Sequence, residues 1–81
     1  MKPTWEKIFE YASMPVHGTM SRKLRQGVTI QINEGKVYGQ ATLFLGEEFV
    51  RITTEEANQV AVNTYYDWGG IASIRTTSPG E

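Results

Sequence analysis

Between Thr4 and Ala12 the apolar residues Trp5, Ile8, Phe9 and Ala12 recur at the i, i+3, i+4, i+7 spacing of one helical face. The pattern predicts a short helix over about residues 4–13, with Thr4 as N-cap. Ser13, Met14 and Pro15 end it, because the residue before a proline is pushed out of the helical region. A helix this short is unstable alone, so its apolar stripe must dock on something. VHGTMSRKLRQG has neither a helical nor an alternating period, and residues 14–27 read as a connector punctuated by Gly18 and Gly27.

From Val28 the period becomes two. Val28, Ile30 and Ile32 face one way and Thr29, Gln31 and Asn33 the other, the pattern of a half-buried strand. NEG is a turn in which Gly35 supplies a positive φ. A second strand over residues 36–45 sets Val37, Ala41, Leu43 and Leu45 against Tyr38, Gln40, Thr42 and Phe44, with a bend at Gly39. After the turn GEE, FVRITTEE forms a third strand with Val50 and Ile52 inward. EEAN turns into a fourth, QVAVNTYY, with Val60 and Val62 inward. DWGG makes an abrupt corner, IASIRTT is a short fifth strand and SPGE, residues 78–81, frays.

These elements predict one mainly β domain. A short N-terminal α-helix precedes a strongly bent five-stranded antiparallel sheet or small barrel over residues 28–77, of the Sm-like or SH3-like kind. Barrel closure would hide the edges that a flat meander exposes.

Length sharpens this picture. A chain of 81 residues without cysteine has a marginal core and no disulfide or thiolate–metal staple, so self-association is an attractive way to bury more apolar surface. Glu6, Lys7 and Glu10 interrupt the N-terminus where a signal peptide needs a continuous apolar run, which predicts a cytoplasmic protein with no membrane partner. The net charge of −1 is unevenly spread. Lys2, Lys7, Arg22, Lys23 and Arg25 face only Glu6 and Glu10 in residues 1–26, whereas acids outnumber bases beyond that point. A wholly basic nucleic-acid binder is therefore not indicated, but a local basic strip is.

The stretches VTIQINEGKVYGQ, EFVRI and WGGIASI, within residues 28–75, resemble the Sm and Hfq-like family of small β-barrels. The first matches that family's alternating first strand, glycine turn and glycine-bent second strand. The others match its third and closing strands. The resemblance implies a helix on a bent five-stranded sheet, and ring assembly by pairing the fourth strand of one subunit with the fifth of the next. It departs from the family at the RNA site. No asparagine accompanies Glu48, Phe49, Val50, Arg51 and Ile52, and Tyr66, Asp67 and Trp68 stand where the bacterial branch has Tyr-Lys-His, an acid in place of a base.

Candidate chemistry is sparse. His17 is the only histidine, no carboxylate sits at ligand spacing from it, and Ser13 and Ser21 lie in no nucleophile turn. There is no phosphate-binding glycine loop, so the chain reads as a non-enzyme without cofactor. Glu47, Glu48, Glu55 and Glu56 fall at turns, where charge keeps a strand end solvated. Arg22, Lys23 and Arg25 form the candidate nucleic-acid contact, with Tyr65, Tyr66 and Trp68 as stacking faces. Alternation assigns Tyr66 to the core, leaving Tyr65 and Trp68 as the candidate protein-interaction residues. Phe44, Phe49 and Tyr65 are the candidate lining of a small-ligand cleft. The primary expectation is a non-catalytic binding module that forms homo-oligomers or binds another protein. Weak RNA binding is the first alternative and a small ligand the second.

Overall fold

The computed structural model describes residues 1–80. An 11-residue helix, α1 (Lys2–Ala12), leads into eight short strands. These are β1 (Ser13–Pro15), β2 (Arg22–Leu24), β3 (Thr29–Ile32), β4 (Val37–Gly39), β5 (Thr42–Leu45), β6 (Phe49–Glu56), β7 (Val60–Asp67) and β8 (Ile74–Thr77). All strand pairs are antiparallel. One sheet has the order β1-β2-β5-β6-β7 and the other β4-β3-β8. The mainly β fold with an N-terminal helix is as the sequence predicts, but two sheets replace the single bent one and the described residues form no closed barrel.

The expected continuous second strand explains the split. After Gly39 the chain takes a positive φ of 54° at Gln40, so the alternation changes phase. Tyr38 is buried and Val37 exposed before the break, whereas Ala41 and Leu43 are buried after it. The strand assignment that put Val37 on one face with Ala41 and Leu43, opposite Tyr38, is thus corrected. One half of the predicted strand, β4, pairs with β3, and the other, β5, with β6.

The connector is also structured. β1 and β2 form a hairpin that joins β5, with Ser13 opposite Leu24 and Lys23 opposite Thr42. α1 begins two residues earlier than its pattern suggested: Met1 is the N-cap, Pro3 lies in the first turn, where its missing N–H costs nothing, and Thr4 is inside the helix. Its predicted stripe does dock, with Phe9 and Ala12 buried and Trp5 packed against the core. Phe9, Leu24, Ile30, Ile32, Tyr38, Leu43, Val50, Ile52 and Trp68 fill the space between the helix and the two sheets.

Turn chemistry differs from expectation in one instructive place. The β3–β4 turn takes its left-handed residues at Asn33 (φ 55°) and Glu34 (φ 58°), closed by Gly35 N–H donating to Ile32 O at 3.0 Å. Positive φ at both central residues suits the right-handed twist of a hairpin. Gly35 serves instead by close approach, since a Cβ there would lie 3.3 Å from Ile32 O. Ser78, Pro79 and Gly80 follow β8 without regular structure, and a Cβ on Gly27 (φ 80°) would lie only 2.9 Å from the Pro79 ring. The expectation of fraying at residue 81 falls outside the described residues. No helix among them is long and apolar enough to cross a membrane.

Candidate interaction surface

The first sheet buries Leu43, Val50 and Ile52 on its inner face, so strict alternation turns Phe44, Phe49, Arg51 and Tyr65 outward. Phe44 lies opposite Arg51, and Arg51 opposite Tyr65, in one row across three strands. Cross-strand neighbours this close pack side by side. The Phe44 and Phe49 rings are 6.1 Å apart, Phe49 and Tyr65 meet edge-on at 5.5 Å, and the Arg51 guanidinium lies 5.2 Å from the Phe44 centroid. Arg51 Nε is buried without a hydrogen-bond partner among the described residues.

The three residues expected to line a ligand cleft are therefore brought together, as a cluster on the outer sheet face that lines none of the main cavities among the described residues. Tyr65 remains 58% exposed at its margin. A groove of about 720 Å³ lies elsewhere, lined by Met14, Pro15, Val16, Lys23, Leu24 and Arg25 among others.

Trp68 is not at the surface, which corrects the expectation that its corner leaves it exposed. The DWGG corner folds as a 3-10 turn, Trp68–Gly70, with Asp67 Oδ2 accepting from Gly69 N–H at 3.0 Å. This points the indole inward, where Nε1 donates to Gly46 O at 3.0 Å and Phe9 packs edge-on at 5.9 Å. The covering helix is what hides it. Tyr66 is half-buried on the inner side, its hydroxyl 2.7 Å from that of Tyr38. Burial, and then the Tyr38 hydrogen bond, push the Tyr66 phenol up to about 12.

Val60 and Val62 keep the inward phase of Tyr66 yet are exposed at 54% and 38%. Alternation sets their direction, but the β6–β7 hairpin runs on past the core and no described element covers its far end, so the inward face expected for them is not buried. Its turn places Asn58 and Gln59 at positive φ. Near that tip Lys36 Nζ pairs with Glu56 at 3.4 Å, and Thr54's hydroxyl, followed by Lys36, holds the Glu56 carboxyl below its usual range.

The basic strip does not present itself as one surface. Arg22 Nε donates to Ser13 Oγ at 2.8 Å, and Nη2 reaches Glu10 O and Ser13 O, each at 3.3 Å. Arg25 Nε donates to Tyr11 O at 3.0 Å. Both arginines thus satisfy carbonyls at the C-terminus of α1, where cations also favour the helix dipole. Among the described residues Lys23 alone of the three makes no such contact, on the outer face of β2. Sequence reasoning missed Arg51 as a surface residue beside the aromatics. Its signal was available, since Arg51 alternates with the inward Val50 and Ile52.

No protein-family model matches the chain, no curated protein matches it, and no solved structure matches it.

Proposed function

We propose that the chain is a non-catalytic, self-associating protein-interaction module. The observation that carries this reading is the Phe44–Phe49–Arg51–Tyr65 cluster, which sits on the outer sheet face next to the free edge of β7. Arginine and tyrosine are the residue types that dominate binding energy at protein interfaces, because they combine large contact area with specific polar ends. Two terms favour protein over RNA as the ligand. Phe49 and Tyr65 meet edge-on, the Phe44 and Phe49 rings are tilted to each other and Arg51 occupies the face of Phe44, leaving no flat row for stacked bases. Glu47, Glu48 and Asp67 also flank Phe49, where a phosphate backbone would be repelled.

Light scattering on the purified chain tests the reading. An assembly larger than one chain at micromolar concentration is expected, and Tyr65→Ala should shift it towards monomer without changing the circular-dichroism spectrum. A strictly monomeric mass across that range rejects self-association and redirects attention to a foreign peptide ligand.

A further inference from the structure

The two sheets present four edges, and they are not alike. β1 is three residues long, its Ser13 N–H is already bonded to Glu10 O, and Pro15 has no N–H to offer. β4 is three residues long with the Lys36–Glu56 ion pair at its start. β8 has four residues, includes Arg75 and is soon followed by Pro79. Brevity, proline and charge are the means by which proteins keep sheet edges from pairing. β7 has eight residues, and from Val60 to Tyr66 it carries neither proline nor charge.

Its ladder groups are directed outward in a regular way. Trp68 N–H is aimed at Glu48 O, 3.1 Å away on the β6 side. Strand alternation therefore turns the backbone groups of Tyr66, Thr64 and Val62 towards β6 and those of Tyr65, Asn63 and Ala61 away from it.

We propose that β7 pairs antiparallel with β7 of a second copy about a two-fold axis at Asn63, joining two five-stranded sheets into one. The proposal rests on the self-association reading and names the strand and register that produce it. A two-fold axis normal to the sheet sets residues of one face opposite residues of the same face, and the outward-directed groups must meet each other. Axes at Asn63 and at Thr64 give the longest overlaps. An axis at Thr64 places the partner's Asp67 opposite Ala61, whose neighbour on β6 is Glu55, and so gathers acids on one face. An axis at Asn63 leaves Asp67 beyond the ladder. It sets Ala61 opposite the partner's Tyr65, Val62 opposite the partner's Thr64 and Val60 opposite the partner's Tyr66. Large rings then lie beside small or β-branched side chains, and the exposed valines at the hairpin tip gain a cover.

Because the chain has no cysteine, single introduced thiols report the register directly. Asn63→Cys should form a disulfide-linked dimer on mild oxidation at micromolar concentration. Val60→Cys should not, because in this register the two copies of position 60 lie about 20 Å apart, far beyond the ~7 Å reach of a disulfide. Ala61→Lys and Tyr65→Glu should each dissociate the dimer, and the double variant, which sets opposite charges across the axis, should restore it. Amide exchange of the unmodified chain checks the same point without any substitution: the Ala61, Asn63 and Tyr65 amides should slow at least tenfold between dilute and concentrated samples. An assembly that persists while Asn63→Cys fails to cross-link, or cross-links no better than Val60→Cys, overturns the β7 pairing and leaves self-association standing. Exchange rates that do not depend on concentration also overturn it. A monomer at every concentration overturns both.

Discussion

Asn33 Nδ2 donates to Gly70 O at 2.9 Å across a sequence separation of 37 residues. Oδ1 of the same side chain accepts from Ala72 N–H at 2.7 Å and from Ser73 N–H at 3.2 Å, and the backbone N–H of Asn33 donates to Ser73 O at 2.9 Å. One turn residue thus fixes the segment that leads from Trp68 into β8.

Asn33→Ala should lower stability by about 1–3 kcal/mol, since the segment's polar groups lose their partners and an alanine must hold a positive φ. Asn33→Gly keeps the backbone geometry at low cost. Denaturant melts of the two variants separate the effects, and glycine is expected to retain about 1 kcal/mol more than alanine. Equal stability of all three chains would remove Asn33 as a clamp.

Phe9 is fully buried and packs on the Trp68 indole, so Phe9→Ala should cost about 3–5 kcal/mol. Thermal melting followed by tryptophan fluorescence reads both consequences, because loss of the covering ring also wets Trp68. A variant that melts within a degree or two of the parent would show that the helix is not docked through Phe9.

The Tyr38–Tyr66 hydroxyl pair predicts an alkaline limit. Tyr66 is raised from 10.0 to about 12, chiefly by burial. Between these values the folded chain holds a proton that the unfolded chain has released, so stability is full below about pH 10 and falls as pH rises towards 12. Tyrosinate absorbance should show one late-ionising tyrosine, and Tyr38→Phe should bring its transition lower by removing the shared hydrogen bond. A Tyr66 that ionises near 10 in the folded chain would contradict the assignment.

Arg22 and Lys23 are neighbours in sequence but opposite in role. Arg22→Ala should destabilise by about 1–3 kcal/mol through the lost charged hydrogen bonds to Ser13 Oγ, Ser13 O and Glu10 O, whereas Lys23→Ala should fall within about 0.5 kcal/mol of the parent. Labelled single-stranded RNA should bind feebly at low salt and be released at moderate salt, with Lys23→Glu removing most of what is seen. Submicromolar, salt-resistant binding that depends on Tyr65 would place RNA recognition ahead of protein interaction.

The repeated period of the chain determined a good deal by itself. The helical stripe of Trp5, Ile8, Phe9 and Ala12, the third strand over FVRITTEE, and the inner faces of Ile30, Ile32, Val50 and Ile52 follow from side-chain geometry that each residue imposes locally. Phe44, Phe49 and Tyr65 could be grouped from alternation alone. Other features needed the tertiary structure. Where an apolar face ends up buried depends on what covers it: α1 lies over Trp68 and hides it, while nothing described reaches Val60 and Val62. The connector became a hairpin because β5 offered it a partner strand, and Arg22 and Arg25 turned from a basic strip into caps because the last turn of α1 presented its carbonyls beside them. Periodicity encodes which way a side chain points, whereas burial and polar pairing depend on elements distant in sequence, and only the folded chain brings those elements together.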